Sequence, residues 1–141
     1  MARRRNALDR VIVEGVDLAD DPALALRARQ LTDHSTRAAL ANSLRNLVDA
    51  AEEPLSSWGR GGPRPPLQRR AVRAARGDLL ALVALLRQPD RVSPRAAALA
   101  AQLVWDSASP MYAPGGEATV AEVVRTILDF DRGPGGGQSA P

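Results

Sequence analysis

The chain has 141 residues, a length that fits one domain, and 45% of them are hydrophobic, enough to build a core. Only 3% are aromatic, and alanine and leucine carry the apolar content, which favours helices over sheets. The sequence has no cysteine, one histidine (His34) and no lysine among its nineteen basic residues. This excludes disulfides, thiolate and multi-histidine metal sites, Schiff-base lysines and a P-loop lysine, and the net charge of +3 is too mild to single out a nucleic-acid partner.

Residues 1–7 are polar and basic. Arg3, Arg4 and Arg5 are followed by Asp9, Arg10, Glu14 and Asp17 where an export signal needs an apolar run. Residues 8–18 hold Val11, Ile12 and Val13, a strand signal with no clear partner strand, so strand, helix and extended arm all stay open there. Asp20, Asp21 and Pro22 mark a helix start, an acidic cap before proline, and predict a helix over 22–31. Asp33 or Ser35 caps the next helix. Leu40, Leu44, Leu47, Val48 and Ala51 then form an apolar stripe, with Arg37, Asn42, Arg45, Asn46 and Asp49 on the other faces.

Residues 54–66 are a proline- and glycine-rich linker in which Trp58 is placed to pin the loop to the core. Leu67 to Arg76 reads as helix, with Ala71, Ala74 and Ala75 inward and arginines outward, and Gly77-Asp78 is expected to break or kink it. Leu79, Leu82, Leu85 and Leu86 make the most apolar helix, expected at the bundle centre. The longest strictly apolar run, Leu79 to Leu86, is far short of a membrane span, so a cytoplasmic protein with no membrane partner is expected.

Ser93-Pro94 is an N-cap followed by proline at the first helical position, with Val92 able to staple onto Ala97. The helix over 94–106 presents Ala96, Leu99, Ala100 and Leu103 on one face and Trp105 near its end; its small residues would suit a dimer. Residues 107–116 form a loop with the only tyrosine, Tyr112, expected to pack the loop together with Trp105. The last helix covers 117–131, with Val120, Val123, Val124, Ile127 and Leu128 at core spacing. Thr119 and Glu122 match a capping box that would start it at Thr119. Residues 133–141 read as a disordered tail.

The expected fold is all-α, an irregular bundle of five or six short helices, with no repeat of solenoid period. One domain is expected over 1–132, comprising an N-terminal arm (1–21) and the linker (54–66), with a Gly/Pro-rich tail over 133–141. The segments 21–48, 69–87 and 107–128 resemble a group of small uncharacterised helical proteins of GC-rich bacteria; that resemblance implies a helical fold and carries no activity or site residue.

Three features could carry function. Arg60, Arg64, Arg69, Arg70, Arg73 and Arg76 fall within seventeen residues that hold no acid, and Arg69, Arg73 and Arg76 share one helical face, as a phosphate-binding stripe would. The plainer reading is a solvated face neutralised by Glu14, Asp17, Asp20 and Asp21, and the few aromatics argue against single-strand binding. Arg29 and His34 stand at a spacing that resembles the arginine–histidine pair of HEPN-type ribonucleases, which implies contact with a phosphodiester; an exposed or capping histidine is the other reading. In the 107–116 loop, Gly115 and Gly116 could expose amides to an anion, or simply turn the chain. Glu52 and Glu53 are adjacent and point apart on a helix, and no Ser/His/Asp constellation assembles.

The sequence therefore points first to a non-enzymatic helical interaction module, docking on a protein partner or on itself. The alternative is a nucleic-acid binder using the arginine face at 60–76, and a HEPN-like ribonuclease is the outside case. No cofactor, metal or catalytic residue is expected.

Overall fold

The computed structural model describes residues 6–31, 33–52, 67–88, 92–113 and 117–138, the last with backbone only beyond Phe130. The linker with Trp58, Arg60 and Arg64, the pair Gly115-Gly116 and residues 139–141 lie outside the described residues. The fold is an all-helical bundle: seven α-helices, one 3-10 turn and no strand among the described residues.

The segment left open at 8–18 is helical where it begins. Helix α1 spans Ala7–Ile12, capped by Asn6, whose side chain accepts from the Asp9 N–H at 2.9 Å. With no strand to pair with, Val11 and Ile12 pack as partly buried residues against the core while Ala7 and Leu8 are buried. The chain leaves α1 through Gly15, whose φ of 77° is a left-handed conformation open to glycine at little steric cost. It then makes a 3-10 turn over Leu18–Asp20 that Asp17 caps.

Helix α2 (Pro22–Gln30) begins as the sequence predicts. Asp21 accepts from the N–H groups of Ala23 and Leu24, and also holds Arg10 of α1 at 2.5 Å. Helix α3 (His34–Glu52) is capped by Asp33 rather than Ser35: the carboxylate accepts from the Thr36 N–H at 3.1 Å and from the hydroxyls of Ser35 and Thr36. Those bonds, that from Ser35 foremost, hold the Asp33 carboxyl below its ordinary range.

Arg37 is not on a polar face. It is buried, and its guanidinium donates from Nε to the Leu31 carbonyl at 2.6 Å and from Nη1 to the Val92 carbonyl at 3.3 Å. Leu31 is the C-cap of α2, where helical carbonyls lack internal partners and a cation is favoured. The arginine therefore ties the end of α2 to the approach of the sixth helix.

The predicted break at Gly77-Asp78 falls two residues earlier. Helix α4 (Arg69–Ala74) ends at Ala75, whose N–H is shared between the carbonyls of Ala71 and Val72, and α5 (Arg76–Leu86) starts at once. Gly77 and Asp78 lie in the first turn of α5, where a carboxylate faces the positive end of the helix dipole; Asp78 also lies 3.8 Å from Arg125. Ala74 is exposed and Val72 is the fully buried residue of α4, because the inward face runs through 68, 72 and 75.

Helix α6 (Pro94–Trp105), capped by Ser93 accepting from the Ala96 N–H, is the one enclosed on all sides. All nine residues from Ala96 to Val104 are buried, whereas α5 leaves Ala81 and Ala84 exposed. The expectation that α5 occupies the centre is thus overturned. Alanine side chains are short enough for α1, α2, α3 and the last helix to approach α6 together. Its small-residue face is consumed within the chain's own core and offers no dimer surface.

Helix α7 (Val120–Gln138) starts with a reciprocal capping box: Thr119 Oγ1 accepts from the Glu122 N–H at 3.1 Å, and Glu122 Oε1 accepts from the Thr119 N–H at 3.0 Å. Val120, Val123, Val124 and Ile127 are buried, with Leu128 and Phe130 packed on the core. Just before it, the N–H groups of Glu117 and Ala118 donate to the buried Asp9 carboxylate at 3.0 and 2.8 Å, joining α1 to the approach of α7. No helix among the described residues is long and apolar enough to cross a membrane.

Candidate functional site

Helix α4 has six residues and one fully buried anchor, Val72, with Ala75 buried just after it. Its start is fixed from outside, since the Gln68 N–H donates to the Met111 carbonyl at 2.7 Å. With the inward positions taken by Val72 and Ala75, Arg70 and Arg73 are left exposed and Arg69 half-buried.

Arg69, Arg70 and Arg73 line an open depression of about 660 Å³, together with Ala74 and with Glu52 from the end of α3. The Glu52 carboxylate lies 3.7 Å from Arg73 Nε; both side chains are about half exposed, so the pair contributes below about 1 kcal/mol. Arg70 has no ion pair among the described residues. Three guanidiniums and the Glu52 carboxylate are thus gathered around one concavity. A guanidinium offers a planar fork of donors suited to phosphate oxygens.

Of the four clustered arginines among the described residues, the structure brings Arg69, Arg70 and Arg73 together. Arg76 does not line the depression, because the break at Ala75 interrupts the helical spacing that would have aligned it with Arg69 and Arg73. Arg60 and Arg64 lie outside the described residues. Two of the acids expected to neutralise the cluster are engaged elsewhere. Asp17 and Asp21 are occupied in capping and, for Asp21, in holding Arg10, while Arg73 meets Glu52. Sequence reasoning set Glu52 aside, and no local pattern marks it, because its place beside α4 is a tertiary contact between α3 and α4.

Arg29 and His34 are both exposed, on α2 and at the first position of α3, separated by the turn through Leu31. The described part of the 107–116 loop is a packed turn. Ser109 Oγ donates to the Leu103 carbonyl at 2.7 Å and accepts from the Met111 N–H, and Tyr112 donates to the Val104 carbonyl at 2.5 Å. Burial pushes the Tyr112 phenol above its ordinary value. Trp105 does not pack the loop as expected: it is 39% exposed, and the Arg27 guanidinium lies over its ring at 5.6 Å.

No family model, curated protein or solved structure matches this chain.

Proposed function

We propose that this chain is a non-enzymatic, cytoplasmic binding module that holds the phosphate backbone of a nucleic acid in the depression beside α4. The observation that carries the reading is the gathering of Arg69, Arg70 and Arg73 around one open concavity, with Arg70 exposed and in no ion pair among the described residues. Phosphate contacts from arginine supply affinity and orientation without base reading. The test is fluorescence anisotropy of the full chain with labelled duplexes at about 50 and 200 mM salt. Three phosphate contacts give a slope of log affinity against log salt of roughly −3, and Arg70→Glu with Arg73→Glu removes binding while the helical circular dichroism is kept. No binding at the lower salt overturns the reading.

A protein-docking module is the second reading, favoured by Trp105 under Arg27 with Leu26 exposed on the same helix as Arg27, since tryptophan and arginine are the residues most enriched at binding hot spots. It expects Trp105→Ala to abolish any concentration-dependent mass seen by light scattering and to leave nucleic-acid binding alone.

A further inference from the structure

We infer that α4 is a latched segment, which opens as one unit about Ala75 when Gln68 leaves its seat on the turn after α6. Hinge, latch and seat each show in the geometry. At the hinge, Ala75 stands between two helices with φ −101° and ψ 15°, off helical values, and its N–H is divided between the carbonyls of Ala71 and Val72. Regular structure resumes at once beyond it, where the Leu79 N–H donates to the Ala75 carbonyl at 2.8 Å. At the latch, Gln68 holds the N-cap position and no side chain caps the helix. Its N–H donates instead to the Met111 carbonyl at 2.7 Å, and its Nε2 to the Tyr112 carbonyl at 3.4 Å. The seat is firm because Ser109 and Tyr112 donate in turn to the Leu103 and Val104 carbonyls of the enclosed α6. Between latch and hinge lie six residues with one fully buried side chain, Val72. A helix of that length does not persist alone, so α4 is regular only while it is docked. Short segments with few buried contacts are the ones that open below the global unfolding free energy. Opening carries Arg69, Arg70 and Arg73 away together and leaves Glu52 on α3, so the depression exists only in the closed state. The device is a property of the unliganded chain and does not rest on the phosphate-binding reading.

The experiment is native-state hydrogen exchange of the full chain, followed residue by residue at low denaturant. In the wild type the amides of Gln68, Val72 and Ala75 are expected to exchange through a common opening that leaves the amides of Leu79 and Leu103 protected. Gln68→Pro then tests the latch. Gln68 has a φ of −77°, which proline adopts, so the substitution removes both donors of the latch without opposing the backbone. Exchange at Val72 and Ala75 should rise about five- to tenfold, the effect of one hydrogen bond lost, with Leu79 and Leu103 unchanged. Wild-type exchange of Val72 and Ala75 only at the rate of Leu103 means that α4 does not open separately, and overturns the inference. An unchanged rate at Val72 in Gln68→Pro overturns it too, as does an equal acceleration of Leu79 or Leu103. The wild-type comparison decides the matter even if the variant does not fold.

Discussion

Helices α6 and α4 are built on opposite principles. Helix α6 is enclosed along nine consecutive residues, and the residues that permit this are mostly alanines, flanked by Leu99, Leu103 and Val104. Helix α4 is half as long, rests chiefly on Val72, and turns arginines outward around a concavity. The first helix can be crowded by its neighbours because its side chains are small. The second keeps a charged face because a guanidinium cannot be buried without partners. Stability and the proposed function are therefore carried by different residues of the same bundle.

That separation can be broken most severely in α6. Leu103 is fully buried, and Leu103→Ala should cost about 2–5 kcal/mol in urea unfolding, whereas Arg70→Ala should change stability by less than about 0.5 kcal/mol. An equal cost at the two sites would show that α4 is structural after all. A smaller effect is expected where the two helices meet through the loop after α6. Tyr112→Phe removes the hydrogen bond to the Val104 carbonyl and should cost about 1 kcal/mol near neutral pH. Because the folded phenol titrates above its ordinary value of 10.0, its contribution is fully present below that pH and is lost as pH rises through the folded value. Alkaline unfolding followed with wild type and Tyr112→Phe should show the wild type losing more stability above about pH 10. The smallest effect is a gain. Gly77 has open space where a Cβ would stand and no left-handed backbone, so Gly77→Ala should raise stability by about 0.5–1 kcal/mol in thermal unfolding. Nucleic-acid affinity should stay unchanged, since Gly77 does not line the depression.

Much of the fold was legible because helix starts are local chemistry. Asp21-Pro22, Ser93-Pro94 and the Thr119–Glu122 box each act within three residues, and each starts its helix where the sequence places it. Asn6 is a cap of the same kind and could have announced α1, but the β-branched run after it pulled the reading toward a strand. Helical spacing alone put Arg69 and Arg73 on the shared face from which both line the depression. The loss of Arg76 from the face depended on a break at Ala75 that neither Gly77 nor Asp78 marks correctly.

By itself, then, the sequence determined that this protein is helical, where most of its helices begin, and that its arginines crowd one region. The tertiary structure alone decided that α6 rather than α5 is the enclosed helix, that Arg37 and Asp9 turn inward to satisfy backbone groups far along the chain, and that Glu52 faces Arg73. The reason is range: a cap closes over three residues, whereas a buried charge is tolerated only where distant segments bring it partners, and composition and local spacing do not record which segments those are.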